Sequence, residues 1–115
     1  MIEFKLTGKI SAKIVFDDSG IEELITLFSE VLDSNEAWTR IAEDRILKVI
    51  RNEEASTMNL LQNNSITMTM DSDEIEYVIE RLKICLVEKV FYPAEFCELR
   101  YKQKDVTIYA EYVEL

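Results

Sequence analysis

The sequence predicts an α+β domain of two layers: an antiparallel sheet of about six strands, built from hairpins, with two or three helices packed on one face. Three observations predict it. Apolar residues alternate with polar ones in short runs separated by turn chemistry. The period switches from two to about 3.6 after residues 17–20 and again after residues 71–73. Glycine (2) and proline (1) are too scarce for a loop-rich chain.

Taken in order, Ile2, Phe4 and Leu6 alternate with polar neighbours, Thr7-Gly8 supplies a turn, and residues 9–16 alternate again, which describes a hairpin. Asp17-Asp18-Ser19-Gly20 then introduces Ile21, Leu24, Ile25, Phe28, Val31 and Leu32, which share one helical face as far as about Asp33. A carboxylate at the start of such a run is the expected cap, accepting hydrogen bonds from free N–H groups and meeting the positive end of the helix dipole.

Residues 36–52, EAWTRIAEDRILKVIRN, read as a third helix, because Trp38, Ile41, Ala42, Ile46, Val49 and Ile50 keep helical spacing. Trp38 would then fill core, and Arg40, Arg45, Lys48 and Arg51 would share a face and make ion pairs within the molecule or with a second copy.

Residues 58–61 and 66–70 flank the turn-like Gln62-Asn63-Asn64-Ser65, with Met68 and Met70 directed to the core. Asp71-Ser72-Asp73 opens a helix that buries Ile75, Val78, Ile79, Leu82, Cys85 and Leu86. Pro93 ends what precedes it. Cys97, Leu99 and Tyr101 alternate with polar residues, Gln103-Lys104 turns the chain, and residues 106–113 form a last strand.

Laying residues 16–32 on 70–86 without a gap matches Asp17 with Asp71, Ile21 with Ile75, Glu22 with Glu76, Ile25 with Ile79 and Leu32 with Leu86. Two readings of this likeness stand: a duplicated ββα unit spanning 1–54 and 55–115, or two amphipathic helices that look alike because all such helices share a period. Strict duplication would make 36–52 a strand pair matching 96–110.

At 115 residues and 13.5 kDa the chain is expected to form a single domain, residues 1–115, able to bury roughly two-thirds of its unfolded surface. No apolar run approaches the ~20 residues of a membrane helix, and the start alternates where a signal peptide would be continuously apolar, so a cytoplasmic protein is expected. Cys85 and Cys97 are expected as buried free thiols.

Several chemistries are excluded by absent atoms. With no histidine there is no Ser-His-Asp or Cys-His constellation, and two cysteines alone cannot complete a structural zinc site. Two glycines cannot write a dinucleotide fingerprint or a phosphate loop. A calcium loop beginning at Asp71 fails, since Glu76 stands where glycine is needed and Leu82 where the bidentate glutamate belongs. No enzyme, cofactor or metal is expected.

The net charge of −10 disfavours nucleic acid and anionic membranes, which require a basic footprint. Its distribution is more informative. Between Ile14 and Thr39 there are seven acids and no Lys or Arg, and residues 71–80 add five more, again unopposed. Ordinary solvated helices mix signs, because i,i+4 pairs stabilise them and like charges do the reverse. Glu30, Asp33 and Glu36 even oppose the dipole at the helix C-terminus.

The expectation is a non-enzymatic acidic protein-binding module, an inhibitor or immunity-type protein occluding a basic site on its partner. Glu22, Glu23, Glu30, Asp33, Glu76 and Glu80 would make the contact, with an exposed aromatic or apolar anchor. The alternative is an acidic homodimeric chaperone or adaptor that uses an apolar groove.

Overall fold

A computed structural model describes residues 1–61 and 64–114. Eight strands and two helices follow in the order β1 (Ile2–Leu6), β2 (Ser11–Phe16), α1 (Asp18–Ser34), β3 (Glu36–Ile41), β4 (Arg45–Arg51), β5 (Thr57–Leu60), β6 (Ile66–Met70), α2 (Ser72–Glu88), β7 (Glu95–Tyr101) and β8 (Lys104–Tyr112). Strand-strand-helix-strand-strand therefore occurs twice. Of the turn expected between β5 and β6, Gln62 and Asn63 lie outside the described residues.

Both helices start where a carboxylate can cap them: Asp17 accepts from the Gly20 N–H at 2.9 Å and Asp71 from the Glu74 N–H at 2.8 Å. Both end in a left-handed residue, Asn35 after α1 and Lys89 after α2, whose N–H bonds back to Val31 and Cys85. Arg51 also donates to the Leu32 carbonyl at 2.9 Å, so a cation sits on an otherwise unsatisfied helix end.

The sheet corrects three expectations. It has eight strands rather than about six, and it is mixed, running β1-β2-β8-β7-β5-β6-β4-β3. The four hairpins are antiparallel, but β2 with β8, β4 with β6 and β5 with β7 pair in parallel. Residues 36–52 form the β3–β4 hairpin, closed by a 3-10 turn at Ala42–Asp44, and not a helix. The same residues satisfy a period of two: Ala37, Ile41, Leu47 and Val49 are buried, and a place in the sheet decides between the periods.

The basic residues of this segment consequently do not share a helix face. Arg40 pairs with Asp44 at 3.5 Å and Lys48 with Glu36 at 3.6 Å, Arg51 caps α1, and Arg45 donates to the Phe4 carbonyl at 2.6 Å. That last bond ties the start of β4 to β1, close to where the two terminal strands of the sheet, β1 and β3, approach each other without pairing.

Apolar side chains from all eight strands and both helices form one core. In-register neighbours such as Met58 and Met68, or Ala12 and Ile108, direct the same face inward. Phe16, Phe28 and Phe96 are fully buried, each worth roughly 1.5–3 kcal/mol of transfer free energy. Phe28 on α1 meets Phe96 on β7 edge to face at 5.9 Å, so the two halves share this core. At its rim, the Asp18 carboxylate accepts from the Lys89 ammonium at 2.7 Å and the Tyr112 hydroxyl at 2.9 Å, tying the start of α1 to the end of α2 and to β8.

Cys85 and Cys97 are buried free thiols, and burial pushes both pKa values up, that of Cys97 far up. No helix among the described residues is long and apolar enough to cross a membrane.

Candidate protein-binding surface

With about 100° between successive helical residues, Ser19, Glu22, Glu23, Thr26, Glu30 and Asp33 fall within one arc of α1, opposite Ile21, Leu24, Phe28 and Val31. The apolar arc is buried and Glu22, Glu23, Glu30 and Asp33 are exposed. Among the described residues none of these four carboxylates has an ion-pair partner.

Alongside α1 runs β3, the terminal strand of the sheet on that side. Its alternation turns Ala37 and Ile41 inward and leaves Trp38 and Arg40 exposed. Trp38 is 57% exposed, which corrects its expected place in the core. The indole lies where α1 and β3 enclose a concavity of about 350 Å³ lined by Ser19, Glu22, Glu23, Thr26, Leu27, Glu30, Trp38 and Thr39. A second hollow continues past Trp38 to Glu36, Ala37 and Lys48.

Of the six acids expected to act together, the fold gathers Glu22, Glu23 and Glu30 around one concavity. Asp33 lies a turn beyond them on the same helix and does not line it. Glu76 and Glu80 line a different hollow, in the groove between the helices with Ser29, Leu32, Ile79 and Lys83. The six acids thus fall into separate groups on the two helices, and Lys83 stands beside Glu76 and Glu80. Farther along α2 and past its end, Ile84, Val87, Val90 and Tyr92 are exposed, Tyr92 at 82%.

The sequence also held a feature that periodicity marks and composition hides. Arg81 follows Val78 by three and precedes Cys85 by four, which sets it on the buried stripe of α2. Its side chain is 6% exposed. The guanidinium donates to the carbonyls of Pro93, Glu95 and Phe96, and stacks over the rings of Phe91 at 4.4 Å and Tyr77 at 4.6 Å. Among the described residues its Nε finds no hydrogen-bond partner, and burial lowers its pKa.

This surface offers complementarity to positive charge and a large flat ring. Among the described residues no group of three or more Asp, Glu or Cys converges as a metal site. Comparison of the chain with protein-family models, curated proteins and solved structures gave no match.

Proposed function

We propose that this chain is a non-enzymatic acidic protein-binding module, of the inhibitor or immunity type, whose α1–β3 surface occludes a basic site on a partner protein such as a nuclease or another nucleic-acid-binding protein. One observation carries the reading: Glu22, Glu23 and Glu30, three carboxylates with no ion-pair partner among the described residues, line a concavity bordered by an exposed tryptophan. Carboxylates standing where phosphates would sit supply steering, and Trp38 supplies the kind of ring that anchors interfaces. Asp33, Glu76 and Glu80 extend the negative field around it. The chain acts in the cytoplasm in this reading, and its two halves are copies of one unit of which only the first keeps the contact surface.

The test is capture of partners from a lysate of the source organism at low and moderate salt, with a Glu22→Lys, Glu23→Lys, Glu30→Lys variant beside the native chain. A basic protein held by the native chain, released by salt and bound at least about tenfold more weakly by the variant is expected. Equal capture by both forms overturns the reading. That result favours a second one, a homodimeric chaperone or adaptor using the exposed Ile84, Val87, Val90 and Tyr92, with the contact on the end of α2 and the segment that follows it.

A further inference from the structure

The two halves treat the same place differently, and the difference specifies what the concavity takes. In the gapless alignment of the helices, Arg81 of α2 stands opposite Leu27 of α1, and Tyr77 opposite Glu23. Between α2 and the start of β7, Arg81 fills the space from within, held flat between Tyr77 and Phe91 and bonded to strand-end carbonyls. Between α1 and β3, Leu27 is too short to do this, and α1 runs into β3 through Asn35 alone, with no counterpart of the 89–94 segment that carries Phe91. The concavity left there is lined by Leu27, Glu22, Glu23 and Glu30, with Trp38 at its border and Thr39 on the terminal strand.

We propose that this concavity is the seat of an arginine side chain from the partner, its guanidinium stacked on Trp38 and paired with Glu23 and Glu30, in the place that Arg81 occupies in the second half. The proposal rests on the basic-partner reading above and narrows it to one side-chain chemistry. A planar fork of donors that stacks on an indole and meets two carboxylates discriminates against lysine, whose ammonium is a compact, strongly hydrated charge.

Trp38 is the one tryptophan of the chain, so its emission reports on this place alone. The probes are three capped tripeptides, Gly-X-Gly with X as arginine, lysine or citrulline, titrated at low salt into the full chain. The arginine peptide is expected to change Trp38 emission with an affinity about three- to tenfold above that of the lysine peptide, and the citrulline peptide to give no saturable change. Glu23→Gln with Glu30→Gln, both at exposed positions, is expected to weaken the arginine response about tenfold. Leu27→Arg, which rebuilds the second half's arrangement in the first, is expected to abolish it, provided that circular dichroism shows the variant folded.

Equal responses to arginine and lysine peptides, or no response to arginine, overturn the proposal. If either occurs while the triple Glu→Lys variant still loses its captured partner, the arginine assignment falls and the basic-partner reading stands. If the arginine peptide binds selectively but the triple variant captures partners normally, the seat exists and the wider reading falls.

Discussion

The helix–strand junctions of the two halves share an architecture and differ in what fills them. At α2 and β7 the fill is internal: a buried guanidinium, two aromatic rings and strand-end carbonyls. At α1 and β3 it is absent, and the walls are carboxylates and a half-exposed indole. The second half shows that the chain can seal such a junction with its own side chains. The first half shows that the architecture stands without the seal, so its open junction and unpaired acids are free for another use.

The sharpest way to break this comparison is to unseal the second half. Arg81→Ala removes the donors of three carbonyls and leaves a hollow under Phe91 and Tyr77, and is expected to cost about 3 kcal/mol in urea unfolding. Arg81→Met, which keeps the volume, is expected to cost about half as much. Equal stability of Arg81→Ala and the native chain would mean that the guanidinium is not a structural seal.

Next in size is a contrast at the first turn of each helix, where Gly20 and Glu74 occupy the same position after the cap. A Cβ on Gly20 would lie 2.1 Å from the Met1 carbonyl oxygen and 2.9 Å from the Phe16 Cβ, so only glycine fits beneath the start of the chain. Gly20→Ala is expected to cost about 2 kcal/mol despite alanine's better helix propensity, measured by thermal unfolding.

The caps themselves come third. Asp17→Ala and Asp71→Ala are each expected to cost about 1 kcal/mol. Asp17 differs in also holding the Met1 ammonium at 2.7 Å, which with the Gly20 N–H lowers its pKa from 3.8 to about 2. A carboxyl lowered on folding contributes stability that is complete above its unfolded pKa and is lost as pH falls through the folded one. The gap between native and Asp17→Ala should therefore close between about pH 4 and 2. A pH-independent gap in acid titrations followed by circular dichroism would contradict this.

The smallest effect is at Glu74, whose pKa is raised by burial and by Asp71, Glu95 and Glu98. Here the sign is reversed. The folded state holds the proton more tightly than the unfolded state, so the ionised side chain costs stability at neutral pH, and that cost disappears as pH falls through the raised pKa. Glu74→Gln is expected to raise Tm slightly at pH 7 and not at pH 4.

Much of this was legible in the residues. Both helices, their aspartate caps, the buried thiols and the unopposed acid on α1 follow from spacing and from capping physics. The β3–β4 hairpin was not, because Glu, Ala, Arg, Leu and Lys favour a helix while the alternation of Ala37, Thr39 and Ile41 suits a strand, and only tertiary placement chooses. The parallel joints between hairpins have no local signature at all, since turn chemistry speaks only for strands that are neighbours in sequence. Trp38 was misplaced for the same reason as its segment: in a helix its position joins Ile41 on one face, whereas in a strand it stands on the side opposite Ile41. The acids of the concavity could be found from sequence, but the ring beside them could not.

The pairing of β2 with β8 has a consequence in time. Lys13 and Glu111, which meet at 2.9 Å across that joint, are 98 residues apart. During synthesis the β1–β2 hairpin must wait until β8 has left the ribosome before its neighbour exists, and in refolding a long loop must close before the sheet is continuous. Assembly of this domain therefore depends on contacts far apart in sequence, which slow folding. Until then the inward edge of β2 is an unpaired template that a nascent chain must keep from other strands.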